Sequence, residues 1–86
     1  MTKSERDIAL LVEVRHIAKS GKAKTLREEA GLSLAEVARG VGVTPTAVWR
    51  WERGLARPSG EPAASYGRLL ISLARCVSDR RETASA

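Results

Sequence analysis

The sequence predicts an all-α protein, a compact five-helix bundle. Three observations carry that expectation. Apolar residues recur every three or four positions along most of the chain, the period of an amphipathic helix. Residues that start or stop helices bracket these runs, with Ser4, Ser33 and Thr44 ahead of them and Gly21, Gly31 and Gly54 behind. No stretch shows the period-two alternation of a half-buried strand.

Taken in order, the first helix reads from Ser4 to about Lys19. Ser4 is placed to cap it, and Asp7 stands where a capping box wants an acid. Ile8, Leu11 and Val12 lie on one face and Leu10, Val14 and Ile17 on another, an apolar surface broader than one-sided packing needs. A short second helix covers Lys22 to Ala30, with Leu26 inward and Gly31 closing it. Ser33, with Glu36 three residues on, caps a third helix from Leu34 to about Gly40. Gly42 suits a left-handed turn. Thr44 caps the fourth helix, Pro45 to Arg53, with proline at the first helical position, where its missing N–H costs nothing. Leu55 to Gly60 reads as a loop. A long last helix runs from about Glu61 to Asp79, with Tyr66, Leu70, Leu73 and Val77 in one stripe. Gly67 in its middle costs ~1 kcal/mol relative to alanine and calls for a packing reason. With Ala63 it leaves a smooth patch for another helix. The expected organisation is an additional N-terminal helix over 1–21, the main domain over 22–79 and a frayed polar tail over 80–86.

Composition narrows the function. At 86 residues the chain makes one domain. It has no Phe, so Leu, Val, Ile and Ala build the core around the two Trp and one Tyr, and a core that thin invites dimerisation. The net charge of +5 points to a polyanionic partner, nucleic acid before an acidic membrane. Cys76 stands alone, which excludes an internal disulfide and a cysteine zinc site. It reads as a small apolar helix residue rather than a redox thiol. The longest apolar run, Ile8 to Val12, is too short for a membrane span or a signal-peptide core, so a cytoplasmic protein with no membrane contact is expected.

The informative stretch is Leu34 to Gly54. Two short helices share a tight turn at Gly42. Val37, Val41, Val43, Val48 and Trp51 point to one core, and Ala38 is small where the helices cross. The outer face of the second helix is thereby pushed away from the body. A short, rigid, protruding helix is what a ~12 Å major groove accepts.

The run from Leu26 to Leu73 resembles the helix-turn-helix domain of phage repressor and Cro proteins, the xenobiotic-response-element-like family, which is lambda-repressor-like in fold. The matching pieces are Leu26 to Ser33, the turn with Ala38, Gly42 and Val43, then Trp51-Glu52-Arg53-Gly54, then Arg57-Pro58-Ser59. One long terminal helix replaces the commoner pair of short ones. That end looks closer to some antitoxins and to small actinobacterial phage-type regulators. The helix from Ser4 to Lys19 is additional to the family core.

The resemblance implies a sequence-specific double-stranded DNA-binding transcriptional regulator. It implies a homodimer on operator DNA, with helix 45–53 in the major groove. Pro45, Thr46, Trp49 and Arg50 would face the bases. Arg50 leads, since a guanidinium bonds guanine bidentately. Ser33, Thr44, Arg53 and Arg57 would hold phosphates. Arg27 and Glu52 match positions that form an internal ion pair. Trp49 is turned outward by helical geometry and reads as a contact surface, for DNA or for another chain.

Two other readings stand beside this one. An antitoxin-type module would bind a protein partner as well as DNA, and an excision or architectural factor would bend DNA. Lys19, Lys22, Lys24 and Arg27 read as a phosphate-binding edge or a solvated face. His16 reads as a surface or interface residue. With one His and one Cys far apart and no phosphate-cradling loop, no catalytic residue, metal site or cofactor is expected.

Overall fold

The computed structural model describes residues 2–85, with side chains as far as residue 80. Over these residues the chain is all helical, with α1 (Lys3–Lys19), α2 (Lys22–Glu29), α3 (Leu34–Val41), α4 (Pro45–Glu52) and α5 (Gly60–Ser85).

Local chemistry explains most of the boundaries. The cap of helix α1 lies two residues before the expected Ser4. Thr2 caps it, accepting from the Glu5 amide at 3.2 Å while Glu5 accepts from the Thr2 amide at 3.3 Å. Thr2 and Glu5 have the same three-residue spacing as Ser4 and Asp7, and the longer glutamate reaches back where aspartate is short. Helix α2 is entered through Gly21 in the left-handed region (φ 85°). It ends one residue before the expected Ala30. Helix α3 keeps its expected box, with Ser33 accepting from the Glu36 amide and Glu36 from the Ser33 amide, both at 3.0 Å.

The last helix is longer than expected at both ends. The frayed tail expected over 80–86 is instead helical as far as Ser85. No glycine or proline follows Gly67, and Arg80, Arg81 and Glu82 are good helix formers, so nothing in the sequence stops the helix at Asp79.

One core joins all five elements. Val14 and Ala18 of α1, Ala23 of α2, Val37, Ala38 and Val41 of α3, Val48 and Trp51 of α4, and Tyr66 and Leu70 of α5 form a single buried cluster. Tyr66 and Trp51 meet at the centre, with ring centroids 4.8 Å apart and planes inclined by 38°. In a chain without Phe these two rings supply the large pieces of the interior.

The packing reason for Gly67 is α1 of the same chain. A Cβ on Gly67 would run into Cγ2 of Val14 and come within 2.9 Å of Cδ1 of Leu10. The smooth patch with Ala63 therefore takes an intramolecular helix. Arg15 adds a polar tie between α1 and the loop before α5. Its Nε donates to the Pro58 carbonyl at 3.1 Å, and Pro58 itself is fully buried, so the α4–α5 loop is pinned to α1.

Candidate nucleic-acid interface

Helices α3 and α4 are joined at Gly42, which adopts φ 86°. That conformation lets the amides of Gly42 and Val43 both reach the Ala38 carbonyl, at 2.8 and 3.0 Å. A side chain at Gly42 would be strained by the backbone angle alone. Three residues later α4 has begun. Thr44 accepts from the Ala47 amide at 3.1 Å, and Pro45 occupies the first turn.

Helix α4 divides cleanly. Val48, Trp51 and Glu52 are buried, and Ala47 is half-buried. Pro45, Thr46, Trp49 and Arg50 are exposed, as is Arg53 just past the helix end. Every one of the four residues expected to face bases thus lies on the outer side. Trp49 is 38% exposed, a large apolar ring held in solvent.

The inner side is fixed by charge as well as by packing. Arg27 of α2 forms a two-pronged pair with Glu52, Nε to Oε2 at 2.7 Å and Nη2 to Oε1 at 3.1 Å. Its third donor, Nη1, reaches the Leu32 carbonyl at 2.9 Å, tying in the turn between α2 and α3. The Glu52 side chain is only 4% exposed and that of Arg27 14%. A carboxylate this buried needs a cation at close range to offset its lost hydration. The hydrogen bond to Glu52 raises the Arg27 pKa above its ordinary value against the opposing effect of burial. Burial also pushes the phenol of neighbouring Tyr66 upward, with the Glu52 charge adding to the shift and Arg27 offsetting it. The internal ion pair implied by the family resemblance is present.

The residues expected at phosphates are exposed but differ in their surroundings. The Arg53 guanidinium sits 4.8 Å from the centroid of the Trp49 ring, so a cation is already stacked on the outer face of α4. Arg57 is exposed in the loop after α4. The Thr44 hydroxyl accepts from the helix and keeps its own proton to donate. At Ser33 the backbone amide is occupied by Glu36, whose pKa is lowered first by that amide, then by the Ser33 hydroxyl and Arg39. An anion approaching there meets a carboxylate that already engages both the Ser33 amide and the Ser33 hydroxyl.

Sequence reasoning did not find Arg15, which positions the loop carrying Arg57. Its partner is the Pro58 carbonyl, 43 residues away, and no local pattern announces such a bond. Lys19, Lys22 and Lys24 are exposed on the α1–α2 corner without a resolved ion pair among the described residues. No group of three or more His, Cys, Asp or Glu among the described residues is placed to hold a metal. No helix there is long and apolar enough to cross a membrane.

Two short helices crossing at a left-handed turn, the second anchored from behind and presenting an exposed outer face, define a helix-turn-helix DNA-binding domain. The chain belongs to the helix-turn-helix domain family, whose profile matches residues 21–71. Helix α1 and the part of α5 beyond Ile71 lie outside that match. No curated protein and no solved structure matches the chain.

Proposed function

We propose that this protein is a sequence-specific transcriptional regulator of the phage repressor and Cro type, binding double-stranded operator DNA as a homodimer. Helix α4 enters the major groove. The observation that supports this most directly is the division of α4 into a buried anchor (Val48, Trp51, Glu52) and an exposed face (Pro45, Thr46, Trp49, Arg50). Arg50 reads guanine through two N–H donors, Thr46 offers its methyl or hydroxyl, and Trp49 packs on a thymine methyl or sugar. Pro45 lies against the bases at the tip. Thr44, Arg53 and Arg57 hold phosphates, with the Ser33 hydroxyl at the edge of the footprint. No step in this role requires a cofactor or a bond-breaking reaction.

Selection of bound sequences from a random DNA pool tests the reading. A palindromic pair of half-sites with centres about 10 base pairs apart is the expected result. A pool that fails to enrich any sequence overturns sequence-specific binding. Once the site is known, Arg50→Ala is expected to leave the fold intact and to bind operator and scrambled DNA alike. Retained preference for the operator would remove Arg50 from the base-reading set.

A further inference from the structure

Helix α1 carries an apolar seam that the rest of the molecule leaves uncovered. Its inner side, Val14 and Ala18 with Leu10 and Ile17, is in or against the core. On the opposite side Ile8 is 63% exposed and Val12 61%. These are the largest exposures on any helix among the described bulky apolar residues. Neither is needed for the family fold, because α1 lies outside residues 21–71.

Glu5, Ile8, Val12 and Arg15 follow one another at spacings of three, four and three, the interval of a helix–helix seam. The pattern is self-complementary when reversed. Laid antiparallel on a second copy, Ile8 falls opposite Val12, and Glu5 falls opposite Arg15. Apolar thus meets apolar, and acid meets base at both ends. A parallel arrangement would set Glu5 against Glu5 and Arg15 against Arg15, two like-charge contacts. Arg15 is half-buried and already oriented by its bond to the Pro58 carbonyl.

We propose that the outer face of α1 is a dimer interface, pairing antiparallel with α1 of a second copy across a two-fold axis between Ile8 and Val12. Val12, His16 and Lys19 line one hollow with Gly54, Ala56, Arg57 and Pro58, so the seam runs into the loop that follows α4. The two-fold pairing therefore sits beside the DNA-facing edge. This deepens the homodimer part of the function proposed above and does not depend on the operator part.

The test is disulfide trapping in a Cys76→Ser background. Ile8→Cys protein is mixed with Val12→Cys protein and oxidised gently. Positions 8 and 12 are ~6 Å apart along a helix, so antiparallel pairing brings 8 against 12 and keeps like positions apart. The mixed 8–12 disulfide is expected in excess over both homodisulfides. Ile8→Glu in the otherwise unaltered chain is expected to shift sedimentation from dimer to monomer with the helical circular dichroism unchanged. A native chain that sediments only as monomer overturns the pairing, as does a dimer indifferent to Ile8→Glu, or homodisulfides that dominate. Operator binding by a monomer would leave the major-groove reading standing while removing this interface.

Discussion

Arg27 and Glu52 form a pair in which the loss of either partner strands the other. Arg27→Ala would leave the Glu52 carboxylate, 4% exposed, without its cation. Removing one member of a buried ion pair costs about 3–5 kcal/mol. The slight exposure of Arg27 places this case at the lower end, about 3 kcal/mol by urea unfolding. Arg27→Met combined with Glu52→Leu should recover most of that loss, since apolar replacement of such a pair is often neutral. A double variant as unstable as the single one would show that the bond to Leu32, rather than the carboxylate, is what Arg27 supplies. Glu36 gives a weaker, pH-dependent effect. Its folded pKa is depressed by Ser33, so its contribution is present above the ordinary glutamate range and fades as pH falls through the lower folded value.

For single elements, the turn and the caps decide how α4 stands. Thr44→Ala removes the acceptor for the Ala47 amide and should cost about 1 kcal/mol, read as a lower urea midpoint. Affinity for DNA should fall as well if, as proposed, the same hydroxyl donates to a phosphate. In α5, Gly67→Ala sets two effects against each other. Helix propensity favours alanine by ~1 kcal/mol. Against it, the new methyl meets Val14, whose branched side chain has little freedom to move aside, and overpacking costs ~1–3 kcal/mol. The steric effect should win, lowering the thermal midpoint. A raised midpoint would mean that α1 can slide on α5.

Helix starts were legible where a cap and its partner lie within three residues, as at Ser33–Glu36 and Thr44–Pro45. The start of α1 was misjudged because two overlapping capping patterns compete there, and residue type decides between them. The end of α5 was misjudged because polarity alone does not stop a helix; a breaker does. Of the candidate site, the inward Val48 and Trp51 and the outward Trp49 followed from helical geometry, and the other outward residues of α4 from family resemblance. The Arg27–Glu52 pair came from family resemblance. Arg15 was invisible because its bond joins residues 43 apart through a backbone carbonyl, which carries no side-chain signature.

Over the whole molecule, charge sets how binding responds to salt. In the proposed complex Arg53 and Arg57 are the two phosphate-directed cations of each protomer, four in a dimer. Counterion release then predicts a slope of about −4 in log affinity against log salt. Arg57→Gln should flatten it by about 2, because the dimer loses two contacts. A steeper native slope that Lys22→Gln and Lys24→Gln reduce would add the α1–α2 corner to the footprint.

The two-sided composition of α4 also bears on how such a protein can change its target. The residues that hold the helix in place, Val48, Trp51 and Glu52, share no position with those that point outward, Pro45, Thr46, Trp49 and Arg50. Stability and the proposed recognition are therefore written in separate letters of one eight-residue word. If α4 reads bases as proposed, exchanging Thr46, Trp49 or Arg50 rewrites the address while leaving the buried anchor in place. A library randomised at those three positions should consist largely of folded proteins, each a candidate reader of a different site.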